Sequence, residues 1–242
     1  MKPIRFGIVG TGAIAASGAN AFAEHEQATL AAACDPHEGR LAAFCEKYEV
    51  PSQYREANEL FADNAIDAVY LAVPNRFHAP MAIAALKAGK HVILDKPFAM
   101  NLAEAEEVVE TAQKAGKLFM LGMNQRYRAD SQKIRTLTEQ DLFGELYHAK
   151  AYWFRRSGIP RLGTWFGSKE LAGGGALLDI GVHLLDLCLF VMDNFEPVAV
   201  TGATYTKFGN RGLGEGGWGQ SDRDAGITFD VDDAAMGLIR FD

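Results

Sequence analysis

Short apolar runs alternate with amphipathic segments along the first half of the chain. The apolar runs predict strands over 4–9, 28–34, 66–73, 91–94 and 118–121. The segments between them predict helices over 13–24, 38–48, 54–61, 80–88 and 102–115. Strands that alternate with helices build right-handed βαβ units. The pattern therefore predicts an α/β fold, in which a doubly wound parallel sheet carries helices on both faces.

The second half of the chain follows a different pattern. Alternation of apolar and polar residues predicts strands over 144–155, 198–205 and 234–241. Helices are predicted over 130–140 and 176–192, and a long glycine-rich loop over 207–226. This mixture is typical of an α+β domain with an open, mostly antiparallel sheet. We therefore expect a nucleotide-binding domain over 1–122 and an α+β domain for substrate binding and oligomerisation over 123–242.

A glycine turn joins the first predicted strand to the first predicted helix. It consists of Gly10, Thr11, Gly12, Ala13, Ile14 and Ala15. In such a Gly-x-Gly-x-x-Ala turn, the first glycine allows a tight bend and the second lets a diphosphate approach the backbone. The helix N-terminus adds free N–H groups and a positive dipole end. Asp35 ends the second strand, at the spacing of a carboxylate that binds a ribose, although it could instead be a helix cap.

Further polar residues follow the later strands of the predicted sheet. Ligands bind beyond the carboxyl ends of parallel strands, so these residues should line one rim. The candidate cofactor contacts there are Pro74, Asn75, His78, Asp95 and Lys96. His78 could instead only satisfy the start of a helix. The ammonium group of Lys96, beside a nicotinamide ring, could polarise a substrate oxygen.

A polar stripe marks the apolar helix predicted over 176–192. Asp179, His183 and Asp186 stand at i, i+4 and i+7, so they share one helix face. Buried polar groups need partners, and three interpretations stay open. His183 could be a general base oriented by Asp179. All three side chains could bind a divalent metal. They could also form a structural network at a domain interface.

Composition narrows the class of protein. The hydrophobic fraction of 48% supports a packed core, and the net charge of −7 disfavours nucleic acid or an anionic membrane as the main partner. No uninterrupted apolar run approaches a membrane-spanning length, and the chain enters its first strand without a signal-peptide pattern. Cys34, Cys45 and Cys188 form no disulfide framework, which fits reduced thiols and a cytoplasmic location.

Several motifs together resemble the Gfo/Idh/MocA family of oxidoreductases. Besides the glycine turn and Asp35, they are Val73-Pro74-Asn75-x-x-His78, Ala88-Gly89-Lys90-His91-Val92, Asp95-Lys96-Pro97 and Gly174-Gly175-Ala176-x-x-Asp179-x-Gly181-x-His183-x-x-Asp186. The resemblance runs from about Ile4 to the last residue. It implies a Rossmann domain and a second domain whose open sheet supports homodimers or homotetramers. It also implies NAD(P)-dependent hydride transfer at a sugar, polyol or related hydroxyl or carbonyl.

The resemblance also implies residue roles. Lys96, Asp179 and His183 correspond to the family's catalytic lysine, aspartate and histidine. His183 would take the hydroxyl proton, Lys96 would stabilise the alkoxide, and Asp179 would position His183 and the substrate. Asp35 would accept hydrogen bonds from the ribose and repel a 2′-phosphate, which favours NAD over NADP. Weaker candidates for substrate binding, each with a core or solvated alternative, are Arg126, Arg156 and Trp165.

The chain departs from the family pattern at two points. Asp95 stands where the family more often has glutamate. The chain is also shorter than most family members, so we expect the second domain to lack its last strands and to leave an unpaired sheet edge. Two alternative functions remain on the same fold: a non-catalytic nucleotide-binding sensor or assembly subunit, and an NAD-assisted glycosidase.

Overall fold

The protein divides into two compact units. The structure, a computed structural model, describes residues 2–217 and 226–241. Within these residues, the first unit spans 2–122, and the second spans 123–217 together with 226–241.

A six-stranded sheet with parallel neighbours forms the centre of the first unit. Its strands are β1 (Ile4–Val9), β2 (Ala28–Cys34), β3 (Ser52–Tyr54), β4 (Ala68–Leu71), β5 (His91–Asp95) and β6 (Phe119–Gly122). Its helices are α1 (Ala15–Glu24), α2 (Glu38–Tyr48), α3 (Ala57–Ala62), α4 (His78–Lys87) and α5 (Leu102–Ala115). The strand order β3-β2-β1-β4-β5-β6 confirms the predicted doubly wound sheet. The short edge strand β3 was not predicted, since its three residues carry little periodic signal.

The central strands are buried on both faces, which explains their unbroken apolar runs. Ile8 and Tyr70 pack in one cluster with residues of α1 and α2. Val9 and Leu71, their immediate neighbours, pack in the other cluster with residues of α3, α4 and α5. Successive side chains of a strand point to opposite faces, so helices are required on both sides. Burial of each such side chain stabilises the fold by about 1.5–3 kcal/mol.

Helix α5 is fixed at both ends by its own sequence. Asn101 accepts a hydrogen bond from the Glu104 N–H at 3.0 Å, and the Glu104 carboxylate accepts one from the Met100 N–H at 3.1 Å. Gly116 ends the helix in the left-handed conformation, at φ 60°. Val108, on the inner face of α5, is fully buried in the cluster that also contains residues of α4. This packing fixes α4, the helix that begins with His78.

The second unit combines helices, a two-stranded sheet and long connecting segments. Its helices are α6 (Ala129–Glu139), α7 (Lys169–Ala172) and α8 (Val182–Met192), and a π-helical turn, Leu177–Gly181, leads directly into α8. Its two strands, β7 (Pro197–Tyr205) and β8 (Ala234–Phe241), pair antiparallel. Both strands and the long helix lie where the sequence predicted them.

The strand predicted over 144–155 is wrong for this structure. Within the part of the chain that the structure describes, these residues form no ladder with another strand. The predicted alternation of exposed and buried side chains is also absent, because Tyr147, Tyr152 and Phe154 are 88%, 72% and 89% exposed. A strand needs a neighbouring backbone to satisfy its N–H and C=O groups, and alternation in the sequence cannot supply that neighbour.

One apolar segment of the second unit passes a test of length and average composition for a membrane-spanning helix, although its apolar residues are not uninterrupted. Residues 169–192 have the length and composition of such a helix, and their most apolar 18-residue window has a mean hydropathy of 1.9 and is 11% buried. A window average tolerates interspersed polar residues, whereas the sequence prediction counted only uninterrupted apolar ones. In the structure the segment is interrupted by Gly173–Gly175 and carries Asp179, His183 and Asp186. Length and composition are weak grounds for a membrane span.

The long loop predicted over 207–226 is described only in part, since residues 218–225 lie outside the described residues. Its first part contains a short 3-10 turn at Gly209–Arg211. Ile159 and Glu215 form an isolated bridge between this loop and the earlier loop at 157–163. The two loops therefore support each other within the second unit.

Candidate active site

The predicted cofactor residues of the first unit all follow the carboxyl ends of its strands. Gly10 follows β1, Asp35 follows β2, and Pro74 and Asn75 come soon after β4. Lys96 follows β5 directly. Because these strands are parallel, their carboxyl ends share one edge of the sheet, which is where ligands bind in folds of this kind.

The glycine turn after β1 has the geometry that a diphosphate needs. Gly10 has φ 86°, and a Cβ atom there would lie 2.3 Å from the Ala72 carbonyl oxygen. At Gly12, by contrast, an added Cβ would meet nothing within 4 Å, so the backbone faces open space. Ala15 is fully buried where α1 packs on the sheet. Gly10 therefore allows the tight bend, Gly12 leaves the backbone open to a ligand, and Ala15 lets α1 pack closely on the sheet, as their positions in the turn predict.

The N-terminus of α1 suits an anion. Among the described residues, no side chain caps it, and its first turn contains no acidic residue. The first N–H groups of a helix lack partners inside the helix, and the helix dipole favours negative charge there. Together with the open space at Gly12, this end of α1 fits the diphosphate of a dinucleotide.

The Asp35 carboxylate is already engaged inside the first unit. One oxygen accepts hydrogen bonds from the backbone N–H and the hydroxyl of Thr11, both at 2.9 Å. The other accepts from the His37 N–H at 2.8 Å and from the Arg40 guanidinium at 3.1 Å. Burial by itself would raise the pKa of Asp35, but these hydrogen bonds bring it below its ordinary value of 3.8. A ribose hydroxyl would have to share this carboxylate with Arg40.

His78 is an internal residue of the first unit. Its side chain is fully buried. Its Nδ1 lies 2.6 Å from the Pro97 carbonyl oxygen, and its Nε2 lies 3.0 Å from the Val73 carbonyl oxygen. Both ring nitrogens face backbone carbonyls, which supports the structural interpretation of His78, and a direct cofactor contact remains a prediction. The imidazole links the chain after β4 to the chain after β5, which carries Lys96.

Lys96 and Asp95 are half-buried at the end of β5. The Lys96 backbone N–H donates to the Asp95 carboxylate at 2.9 Å. Asn75 is buried, with 7% of its surface exposed, and Pro74 is half-buried. The backbone on either side of the Lys96 side chain is therefore held by hydrogen bonds, from the Lys96 N–H to Asp95 and from His78 to the Pro97 carbonyl.

The π-helical turn and α8 position the polar stripe of the second unit. Asp179 lies in the π-helical turn, and its N–H donates to the Gly175 carbonyl at 2.9 Å. His183 and Asp186 lie in α8, where each is 8% exposed. Single π-helical turns are uncommon and occur frequently at functional sites. The turn adds a residue to the helical repeat just between Asp179 and His183.

Arg126 and Asp186 form a two-pronged ion pair. The Arg126 Nε donates to one Asp186 oxygen at 2.8 Å, and Nη2 donates to the other. The same guanidinium lies 5.3 Å above the Phe190 ring. The Nε and Nη2 donors of Arg126 are therefore engaged with α8, and a contact between Arg126 and substrate remains a prediction. The described residues contain no group of three potential metal-ligand side chains.

The other weak substrate candidates remain predictions. Arg156 is exposed in the loop after the segment at 144–155. Trp165 is half-buried and stacks on Phe166, with 3.8 Å between the ring centroids. A packing role for Trp165 is therefore visible, whereas Arg156 has solvent around it.

Two family models match the chain. An oxidoreductase family with an NAD-binding Rossmann fold, Gfo/Idh/MocA, matches residues 4–123. The C-terminal domain of the same family matches residues 131–242. The chain belongs to the Gfo/Idh/MocA family. The segment at 169–192, apolar as it is, therefore lies inside the Gfo/Idh/MocA C-terminal domain.

Gfo/Idh/MocA relatives extend beyond this chain. D-glucoside 3-dehydrogenase of Escherichia coli is 33% identical over 99% of the chain and 67% of its own length. Myo-inositol 2-dehydrogenase of Thermotoga maritima is 28% identical over 98% of the chain and 65% of its own length. The crystal structure of aldose-aldose oxidoreductase from Caulobacter crescentus superposes with a TM-score of 0.79 at 25% identity, over 98% of the chain and 67% of that structure. The chain spans about two thirds of the length of these relatives.

One residue near the Gfo/Idh/MocA glycine motif was missed by the sequence analysis. Asp232 accepts hydrogen bonds from the backbone N–H groups of Gly175 at 2.8 Å and Leu177 at 2.9 Å. The run Gly173–Gly175 was a signal that another part of the backbone comes close. The residue that comes close is separated by 57 positions from Gly175, so the sequence could not identify it.

Proposed function

We propose that this protein binds NAD and transfers a hydride between the nicotinamide ring and a secondary hydroxyl of a sugar or polyol. The observation that carries the proposal is the N-terminus of α1, which has no side-chain cap among the described residues and faces open space at Gly12. Membership of an NAD-binding oxidoreductase family supports it.

The chain's own residues divide the work of such a reaction. Bound NAD supplies the hydride acceptor. His183 would take the proton of the substrate hydroxyl as general base. The Lys96 ammonium would stabilise the negative charge that develops on the same oxygen. Asp179 would position the substrate and His183.

We propose NAD in preference to NADP. Asp35 carries a full negative charge at neutral pH, because its pKa lies below the ordinary value. A carboxylate at the end of β2 accepts hydrogen bonds from a ribose hydroxyl and repels a 2′-phosphate. Arg40, at 3.1 Å, offsets part of that charge, so we expect the preference to be moderate.

The substrate class is drawn from relatives. D-glucoside 3-dehydrogenase and myo-inositol 2-dehydrogenase act on a glucoside and a cyclic polyol, as their names state. Both substrates carry secondary ring hydroxyls. We therefore propose a pyranoside or a cyclic polyol as the substrate of this protein.

The proposal is tested by measuring NADH formation from NAD with a panel of glucosides, free sugars and inositols. We expect turnover by the wild type and a loss of at least about 100-fold in kcat for Lys96→Met or His183→Asn, since general base catalysis and charge stabilisation each contribute roughly that much. Lys87→Met, at an exposed lysine of α4, is the matched control. Release of aglycone without net NADH would favour the glycosidase alternative. NADH binding by fluorescence titration without any turnover would favour the sensor.

We also propose that copies of the protein associate through the pair β7–β8. Its apolar side chains are exposed: Val200 at 75%, Met236 at 66% and Leu238 at 67%. Leu238 lies opposite Thr201, and Ile239 lies opposite Val200, so apolar residues occupy both faces of the pair. Light scattering should give a dimer or larger species, and Leu238→Lys should weaken it.

A cytoplasmic location remains our proposal. Among the described residues, the three cysteines are free thiols, and Cys34 and Cys45 are buried. Burial raises the pKa of the Cys34 thiol to about 12, so it is protonated and unreactive at neutral pH. Cell fractionation would test the location.

A further inference from the structure

The helix that carries Asp179 and His183 begins on a single carboxylate. Asp232 lies just before β8, and its two carboxylate oxygens accept from the backbone N–H groups of Gly175 at 2.8 Å and Leu177 at 2.9 Å. Its carbonyl oxygen accepts from the N–H of Ala176 at 2.9 Å. One residue therefore satisfies three consecutive N–H groups at the start of the helix.

This contact requires glycine on the helix side. A Cβ atom at Gly175 would lie 1.8 Å from the Asp232 carbonyl oxygen, well inside any tolerated contact. A Cβ atom at Gly174 would meet the Leu178 side chain at 3.1 Å and the Asp232 carboxylate at 3.7 Å. Gly174 and Gly175 thus allow the backbone before β8 to press against the start of the helix.

The residues next to the helix do not cap it themselves. Ala176 and Gly181, which precede the π-helical turn and α8, make no side-chain capping bond within the described part of the chain. The first four N–H groups of a helix have no partners within it, and an acceptor with a negative charge there also suits the helix dipole. Loss of Asp232 would leave the first turn of this helix without its acceptors.

The cap formed by Asp232 lies close along the helix to the proposed catalytic pair, so loss of the cap would affect the position of that pair. Asp179 lies two residues after Leu177, inside the π-helical turn, and His183 lies one turn later in α8. The far end of α8 is held independently, because the Arg135 guanidinium donates to the Phe190 carbonyl at 2.7 Å. Fraying at the Asp232 end would therefore displace Asp179 first and leave the end of α8 in place.

We propose that Asp232 is a positioning residue for the Asp179–His183 pair, acting through the N-terminus of the helix that carries them. This inference rests on the proposed hydride transfer. Asp232 itself does not need to touch substrate or cofactor. Its role is to fix the rotation and height of the π-helical turn, so that the Asp179 carboxylate stays at a constant position beside His183.

The test compares Asp232→Asn with Asp233→Asn. The Asp232→Asn change keeps one acceptor oxygen and places an amide N–H₂ against a backbone N–H. Asp233 is the matched control because its carboxylate also accepts backbone N–H groups, those of Lys207, Phe208 and Gly209. These lie in another loop. Both variants should lose stability to a similar extent.

We expect Asp232→Asn to lower kcat by about 10- to 100-fold, because a misplacement of about 1 Å can cost that much. KM and the Kd for NADH should stay within about threefold, since cofactor binding belongs to the first unit. Asp233→Asn should keep kcat within about twofold. Asp232→Glu retains two acceptor oxygens and should recover part of the loss. If Asp232→Asn does not fold, Asp232→Glu carries the comparison, with an intermediate fall in kcat.

A second readout does not depend on turnover. The pH titration of the His183 ring, followed by NMR, should shift in Asp232→Asn and stay unchanged in Asp233→Asn, because the distance from the imidazole to the Asp179 carboxylate changes only in the first. A wild type without turnover on any sugar or polyol would refute the proposed function. An unchanged His183 titration, or an equal loss of kcat in Asp232→Asn and Asp233→Asn, would refute the positioning role of Asp232.

Discussion

The fully buried imidazole of His78 should make the first unit sensitive to acid. Both ring nitrogens face carbonyl oxygens, of Pro97 at 2.6 Å and of Val73 at 3.0 Å. Two carbonyls would favour a doubly protonated ring, while burial and the nearby Lys96 ammonium oppose the charge. Burial is the largest effect, and it leaves the pKa of His78 below its ordinary value of 6.5.

Because the pKa of His78 is lowered in the folded protein, the free energy of unfolding should fall as the pH falls. Because the folded pKa is lowered, the unfolded chain binds the proton more readily than the folded chain. The stability that His78 contributes is therefore fully present above about pH 6.5 and is lost as the pH falls towards the folded pKa. For a single proton the slope is at most about 1.4 kcal/mol for each pH unit.

Two substitutions separate the two hydrogen bonds. His78→Asn keeps a donor near Nδ1, and His78→Gln keeps one near Nε2. A neutral imidazole has one N–H, so at neutral pH only one of the two carbonyls has a donor in the wild type. The variant that loses this donor should cost about 1–3 kcal/mol at neutral pH, and the variant that keeps it should cost less. Relative to either variant, the advantage of the wild type should shrink below about pH 6.5, since only the wild type has this group to protonate.

Urea unfolding followed by circular dichroism at several pH values gives these free energies, and hydrogen exchange of peptides from residues 68–98 assigns them to the first unit. Subtracting the free energy of unfolding of His78→Gln from that of the wild type removes the contribution of the other histidines. A difference that widens on acidification would refute the reasoning, because it would mean that the two carbonyls outweigh burial and hold an imidazolium.

Two further predictions concern buried charges in the first unit. Asp35→Asn should raise the affinity for NADPH relative to NADH by roughly tenfold in fluorescence titrations, because it removes a negative charge beside the 2′-position. The same change should flatten the loss of stability on acidification through pH 3.8 and below, since the lowered pKa of Asp35 stabilises the fold above that range. Lys90 is 5% exposed and donates to the carbonyls of Asp63 at 2.7 Å and Ile66 at 2.8 Å. Lys90→Met should therefore destabilise the protein by about 1–3 kcal/mol in urea unfolding, whereas Lys87→Met, at an exposed position, should change little.

Local signals in the sequence were enough for the first unit. The run from Ile4 into the glycine turn identified a strand, a tight bend and a helix, because each of those features depends on residues close together in the chain. The φ of 86° at Gly10 and the open space at Gly12 correspond to the separate reasons for which the two glycines were expected. Asp35 was placed correctly at the end of β2, but its carboxylate was expected to be available to a ribose.

The partners of buried polar groups could not be predicted in the same way. Arg126 and Asp186 are 60 positions apart, so nothing in their local pattern indicated the ion pair between them. His78 was left between a cofactor contact and a structural role, and its hydrogen-bond partners, the Pro97 and Val73 carbonyls, became visible only in the tertiary structure. The strand expected over 144–155 failed for a related reason, since a strand is defined by a neighbour that its own residues do not specify.

The amino-acid sequence by itself determined the doubly wound sheet, the glycine turn after β1 and the helical segment shared by Asp179 and His183, because hydrophobic periodicity, glycine geometry and helical spacing act over a few residues. The tertiary structure decided which polar groups are committed elsewhere. It joined Arg126 to Asp186, enclosed His78, and placed Asp232 on the helix of the proposed catalytic pair. A buried donor or acceptor must find its partner wherever the fold brings one, and that distance in space bears no fixed relation to distance along the chain.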